Sequence, residues 1–412
     1  DLDKYEKYEY EQTIKLLKIT MGALLLSGTA MSAQAQELHF IMCGGEVRAA
    51  DQAVVDQFIA DNDGVSVNLE AVPWGTCQDK SLTLSAAGDP PSIAYMGSRT
   101  LRQLANNDLI VPANIDPDTM YQPGVLNTVT IEGTQWGYPH AFSTKALYMN
   151  CDLVEEAGLQ CVAPRTWTGM YNMAKAINDN TDAAGIGLAG KDFDNTMHQF
   201  LNYLYSNGGV VIDPDTGESS LDSDETRETL AFYGSLVDVA QDGPTAWERD
   251  QLKDLFNDNK IGMYVSGPWG YGQHNDNIAQ LVAPVPAGPS GVSGSILITD
   301  SIVVFKGSGH EELAQELAQL ITSGDSQYDL DSSWGLTPIL DYKAMGKTDV
   351  YYADGIWPNF TQTISTGGPE PLVEDFKSLQ SVFTNMIQGI ILKDDTVENL
   401  VTIAGEELAD AL

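Results

Sequence analysis

The chain has 412 residues, 43% of them hydrophobic, and sets 58 acidic side chains against 21 basic ones, a formal charge of -37. Such a surface repels phosphate backbones and anionic lipid, and no lysine or arginine cluster offsets it, so a nucleic-acid or membrane-surface partner is not expected. The length suits two or three domains with large cores, and 8% aromatic with 19% charged residues is the composition of a folding chain.

Residues 1–36 differ from the rest. Lys15 and Lys18 precede an apolar stretch from Met21 to Ala33, and Ala33-Gln34-Ala35 supplies a small-residue cleavage pattern. This reads as an export signal removed near Gln36 or Glu37, with an acidic stretch, Asp1 to Glu11, upstream that fits no signal pattern. The apolar stretch is short of the ~20 residues of a membrane span, and no later segment reaches that length. Export to an oxidising compartment suits four cysteines that are even in number and form no C-x-x-C pair. Three pairings are open. The preferred one joins Cys43 to Cys77, each just beyond a predicted strand, and Cys151 to Cys161, which bracket a short helical turn.

Leu38 to Met42 reads as a strand, Ala49 to Ala60 as a helix, Val65 to Val72 as an alternating strand, and Asp79 to Ala87 as a helix. Ser92 to Met96 is a third strand, and Ser98 to Asn106 a helix. This β-α-β-α-β series predicts an α/β fold with a parallel sheet covered by helices. Ligands of such sheets gather at the carboxyl ends of strands, here Cys43 to Glu46, Trp74 and Gly97 to Arg99. The middle of the chain is mostly helical, with apolar periodicity in Tyr171 to Ile177, Met197 to Tyr205, Thr226 to Val239 and Leu252 to Phe256. A strand returns at Ile296 to Phe305, and a helix follows at Glu311 to Ile321.

An ordered set of segments carries a resemblance across nearly the whole mature chain. The most specific are GTQWGYPHAFSTKALYMN (Gly133 to Asn150) and IGMYVSGPWGY (Ile261 to Tyr271), joined to FIADNDGVSVNLEAVPW before them and to a late GLTP (Gly335 to Pro338). The chain resembles family 1 extracellular solute-binding proteins, the carbohydrate-binding components of ABC importers. The resemblance implies a two-lobed periplasmic-binding-protein fold, each lobe a mainly parallel sheet flanked by helices, with a sugar held in the cleft and hinge closure around it. It implies crossings near Ala141 to Ala146, Ile296 to Thr299 and Gly335 to Ala344. One lobe would take residues 37–143 and 297–340, the other 144–296 and 341–412. It further implies a periplasmic, monomeric receptor without a cofactor, which hands its ligand to permease subunits.

Sugar capture needs flat rings for C-H faces and fixed polar groups for hydroxyls. Trp269 follows a predicted strand (Ile261 to Val265) through Gly267-Pro268, so its ring should project from a loop, where the family's matching tryptophan stacks on sugar. Tyr271 lies two residues on, Trp74 ends the second strand, Trp334 precedes GLTP, and Trp357 sits where the family often places another ring. Glu46, Arg48, Ser98 and Arg99 lie at strand ends as polar anchors. His140 and Ser143 fall in the segment that lines the family's cleft floor, His198 heads the helix that presents a ligand-facing ring there, and Asp300 lies on the returning strand.

No H-E-x-x-H, G-x-S-x-G, G-x-x-x-x-G-K-[ST] or dinucleotide G-x-G-x-x-G pattern marks an enzyme. Paired carboxylates leave a secreted glycosidase as the distant alternative. A polyol, a glycoside osmolyte, an acidic sugar or a polyamine are the nearer ones. DPDTG (Asp213 to Gly217) reads as a hairpin turn rather than a calcium loop, and Tyr351-Tyr352 lies too late in the chain to match a ferric-ion site.

Overall fold

The computed structural model describes residues 36–412 apart from 75, 123, 214–215 and 348–354. The export-signal reading, apart from its last residue, and the Tyr351-Tyr352 pair lie outside the described residues. The strands are β1 (Gln36–Cys43), β2 (Val65–Val72), β3 (Ile93–Gly97), β4 (Thr130–Ile131), β5 (Thr134–Gln135), β6 (Tyr138–Ser143), β7 (Ala146–Asn150), β8 (Met263–Ser266), β9 (Gln280–Pro284), β10 (Ile296–Val304) and β11 (Gly368–Pro369).

The first lobe is built on a sheet of order β11-β10-β3-β1-β2, with β6 also pairing β10. β1 is parallel to both β2 and β3, as the alternating series requires, whereas β10 returns antiparallel to β3 and β6. Position in the sheet explains the sequence of each strand. Central β3 is buried at all five residues and reads as an unbroken apolar run, while edge strand β2 alternates between half-buried and exposed positions along most of its length. The helix Glu311–Ile321 buries Ala314, Leu317, Ala318 and Ile321, an i, i+3, i+4, i+7 stripe, and Glu311 and Glu312 occupy the first turn, where the helix dipole favours acid.

The second lobe corrects the expectation of a mainly parallel sheet in each half. Its three hydrogen-bonded strands run β8-β7-β9, and β7 is antiparallel to both neighbours. The cause is the crossing itself: β7 carries the chain away from the first lobe and β9 carries it back. Among the described residues of this lobe, parallel pairing survives as isolated bridges at Thr166↔Ala287, Ala184↔Ile261 and Ile186↔Ala240. Helices cover this sheet, and their starts are capped as their sequences suggest. Asn150, Thr166, Ser223, Asp375 and Thr396 each accept a backbone N–H with the side chain, and Glu248 and Gln251 form a reciprocal capping box. Ile212 and Ser219, on either side of DPDTG, form an antiparallel bridge, while Pro214 and Asp215 within it lie outside the described residues.

Each lobe has its own core. One gathers Leu38, Phe40, Met96, Tyr138, Ile302 and Leu317, the other Met149, Trp167, Phe200, Tyr233, Phe383 and Leu408. Where the chain leaves β6 for β7, only Thr144 and Lys145 intervene, and both are buried. Hydroxyls tie this link to the other passes: Thr144 N–H donates to Thr337 Oγ1 at 3.1 Å and Lys145 N–H to Ser295 Oγ at 2.7 Å. The helix Gly324–Trp334 stops at Gly335, whose left-handed φ of 74° turns the chain into the third pass without the strain a Cβ would bring.

Both preferred disulfides are formed. Cys43 to Cys77 closes a separation of 34 residues and Cys151 to Cys161 one of 10. Loop-closure entropy scales with the logarithm of loop length, so replacing Cys43 and Cys77 by serine should cost about 4 kcal/mol and the same change at Cys151 and Cys161 about 3 kcal/mol. Denaturant titration of the two double variants checks the order.

Candidate ligand cleft

A cleft of about 480 Å³ opens where the carboxyl ends of β3 and β8 face each other across the lobes. Trp74, Tyr95, Phe142, Phe193, Trp269 and Trp334 supply its rings, Ser143, Asn195, Gln199 and Gln273 its neutral polar groups, and Arg99, Lys145, Arg249, Asp194, Asp250, Asp300 and His198 its charged and titratable groups.

Local sequence makes room for the two longest of these groups. A Cβ on Gly267 would stand 2.4 Å from the Trp269 ring, and one on Gly97 would stand 2.6 Å from the Arg99 guanidinium. Each glycine lies two residues before the side chain that folds back over it. Trp269 begins the one-turn helix Gly270–Gln273 rather than standing in a plain loop. Its ring lies under two cations, with Lys145 Nζ 4.7 Å and the Arg249 guanidinium carbon 5.6 Å from the ring centroid. Trp334 stacks at 6.4 Å on Trp74 and carries the Arg48 guanidinium carbon 3.5 Å from its centroid. Trp74 meets Tyr95 edge-on at 5.2 Å and remains 46% exposed.

Arg99 is the electrostatic centre. It lies 3.5 Å from Asp194, 3.5 Å from Asp300 and 3.7 Å from Glu370, and Glu370 also pairs closely with His198. Burial alone would lower the Arg99 pKa, but Glu370, Asp194 and Asp300 together outweigh it and raise it. For Glu370 burial is again the largest influence and pushes upward, yet Arg99 and His198 hold the carboxyl below its usual range. Asp300 ends above its usual range, because burial exceeds the help it receives from Arg99 and from the Tyr95 hydroxyl, which donates at 2.9 Å. Lys145 is pushed down to about 7 by burial, with Arg249 adding to the effect.

Of the side chains named from sequence, Trp74, Arg99, Ser143, His198, Trp269, Asp300 and Trp334 line this cleft. Tyr271 and Trp357 line a neighbouring hollow of about 540 Å³, which shares Trp269 and Trp334 with it. Four fall elsewhere, among them Arg48, which lies over the Trp334 ring and pairs with Asp51. Glu46 is exposed on the loop after β1 and does not line the cleft. Ser98 is turned inward, where it shares hydrogen bonds with Ser301 at 2.8 Å and Thr299 at 2.7 Å. His140 is 0% exposed and sits behind the wall between Asp51 (3.4 Å) and Gln327 (3.2 Å). Sequence reasoning missed Lys145, Arg249, Asp194, Tyr95 and Glu370. Lys145 stands inside the quoted STKALYMN block, so a lysine at a two-residue link between sheets was the available signal. Asp194 and Glu370 reach Arg99 from 95 and 271 positions away and left none.

The chain matches the family model for bacterial extracellular solute-binding proteins over residues 44–328, more than half its length. A candidate binding protein of Brucella abortus strain 2308 is 26% identical over 384 residues, 90% of this chain and 92% of that one. Two solved structures share the fold. An ABC transporter solute-binding protein of Thermotoga lettingae bound with α-D-tagatose superposes with a TM-score of 0.79 at 23% identity, covering 91% of this chain and 99% of that one. Maltose-bound MalE3 of T. maritima gives 0.77 at 23% identity, covering 92% and 100%. With the two-lobed fold and the interlobe cleft, these matches settle the kinship: the chain belongs to the family of bacterial extracellular solute-binding proteins.

Proposed function

We propose that this protein is an exported receptor that captures a sugar or small oligosaccharide in the interlobe cleft and delivers it to an ABC permease, with no catalysis of its own. The carrying observation is the cleft itself, in which the rings of Trp74, Trp269 and Trp334 face hydrogen-bonding groups held by burial and ion pairs. Rings of this kind stack on the C-H faces of a pyranose, and Ser143, Gln199 and Asn195 are placed to meet its hydroxyls. The relatives named for their ligands take carbohydrates, among them a diacetylchitobiose-binding protein of Streptomyces coelicolor and a galactooligosaccharide-binding protein of Bacillus subtilis.

In this reading, residues 37–143 and 297–340 form one lobe and 144–296 and 341–412 the other. Ligand contacts from both favour the closed state, and the permease reads the closed surface. The reading takes the mature chain to be a periplasmic monomer, exported through the signal-like segment. Trp74, Arg99, Ser143, His198, Trp269, Asp300 and Trp334 are the ligand-facing set, and Tyr271 and Trp357 extend it for a longer chain.

Thermal unfolding against neutral mono- and disaccharides, polyols, uronic acids and polyamines tests the class. Ligand at 100 times its dissociation constant adds about 2.7 kcal/mol. A response to polyamines alone, or hydrolysis of a chromogenic glycoside, would replace the reading. With a sugar found, Trp269→Ala should weaken binding at least about tenfold, or about 1.4 kcal/mol, in a fluorescence titration. Gly267→Ala should weaken it as well, since the new methyl displaces the Trp269 ring while every ligand-facing side chain is retained.

A further inference from the structure

Resting on the sugar reading, we infer that the ligand carries an anionic group, a carboxylate or sulfate on the sugar, which docks between Lys145 and Arg249 over the edge of Trp269. The observation behind it is an imbalance of pairing inside the cleft. Asp194, Asp300 and Glu370 are gathered around Arg99, Glu370 also holds His198, and Asp250 pairs with Arg249 beside it on the same helix. Lys145 alone among the lining cations has no carboxylate ion pair among the described residues. Its ammonium donates only to the Ser143 hydroxyl, at 2.7 Å, and it is 4% exposed.

A buried ammonium with no carboxylate in contact is unfavourable, and a second cation on the same ring makes it more so, while Asp300 and Glu370 favour its charged form only from farther off. An arrangement of this kind costs stability in the empty protein and returns it when an anion arrives. A neutral hydroxyl accepts a hydrogen bond from Lys145 but brings no negative charge into contact with it. Arg249 adds direction: its guanidinium is anchored on Ser266 Oγ at 3.3 Å and on Asp250, so its remaining donors form a fixed planar edge of the sort that suits carboxylate or sulfate.

The groups facing Lys145 set its response to pH. They are Arg249 and Asp250 from the helix Arg249–Asn257, Asp300 from β10, Glu370 just beyond β11, His198 and Asp194 from the helix Asp194–Tyr205, and Arg99 after β3. Burial and Arg249 depress the amine to about 7, and Asp300 and Glu370 oppose them. An anion docked beside the amine raises its pKa, so binding above pH 7 takes up a proton. Affinity for an anionic sugar then falls as pH rises through and beyond 7, approaching tenfold per unit, while affinity for a neutral sugar stays flat.

Matched pairs make the test: glucose with glucuronate, galactose with galacturonate, and glucose with glucose 6-sulfate, titrated by calorimetry at pH 6.5, 7.5 and 8.5 in buffers of different ionisation enthalpy. The expected result is tighter binding of an acidic member than of its neutral partner, by tenfold or more at pH 6.5, with proton uptake at pH 7.5. Lys145→Met should erase the preference and the proton uptake while leaving the unfolding midpoint equal or higher. Neutral members that bind as tightly as acidic ones, without proton uptake, overturn the inference and leave the sugar reading standing. A panel with no response from any sugar overturns both.

Discussion

The cleft is organised by one buried guanidinium. Arg99 sits where β3 ends, and its side chain is compatible with burial only because carboxylates come to it from three separate parts of the chain, Asp194, Asp300 and Glu370. Removing water from a cation costs several kcal/mol unless its donors find acceptors, so the cation and the three acids hold one another in place. Each acid fixes a structural neighbour. Asp194 opens the helix that carries His198 and Gln199, Asp300 fixes the Tyr95 hydroxyl, and Glu370 closes on His198. Loss of Arg99 leaves three carboxylates without their shared cation, and because Asp194 and Glu370 come from other parts of the chain than Arg99 and Asp300, the cluster joins the two walls of the cleft.

The same lobes are joined by passes of chain that cross in a polar, hydroxyl-rich zone. Thr144, Ser295 and Thr337 are buried, and their hydrogen bonds run from one pass to the next rather than within a lobe. Hydroxyl pairs of this type exchange partners at small cost when backbone angles shift, whereas the interdigitated cores on either side do not deform continuously. The architecture thus sets exchangeable hydroxyl contacts at the crossings between two interdigitated cores. Lys145 belongs to the two-residue link between β6 and β7, so one amine of the cleft sits on a crossing between the lobes.

Much of this was legible in sequence where local signals carry it. The period-two alternation of Val65–Val72, the apolar run of Ile93–Gly97 and the helical stripe of Glu311–Ile321 each follow from burial on one face or two, and their spans were read within a few residues. Strand direction in the second lobe was not legible, because a βαβ rhythm fixes handedness only between strands that a helix connects, and β7 is entered straight from β6. In the cleft, aromatic and chain-break signals found Trp74, Trp269 and Trp334. Residue type alone put His140 and Ser98 at the cleft, whereas in the fold His140 Nδ1 meets Gln327, 187 positions away, and Ser98 Oγ meets Ser301, 203 positions away. Glu370 was missed for the same reason in reverse, since only the folded chain brings it to Arg99.

A formal charge of -37 and a cleft with a spare cation are compatible because they act over different distances. At physiological ionic strength exposed charges are screened within about 8 Å, so the acidic surface influences the approach of a solute only weakly and the bound state hardly at all. Inside the cleft, water is largely displaced, screening is weak, and the balance is struck among the few groups in contact. There the carboxylates touch Arg99, His198 and Arg249, and Lys145 is the lining cation that none of them touches among the described residues, although Asp300 and Glu370 favour its charge from farther off. The acid count of the whole chain thus bears on solubility and self-repulsion. Ligand charge is decided by which carboxylates are already spoken for within a few ångströms of the site.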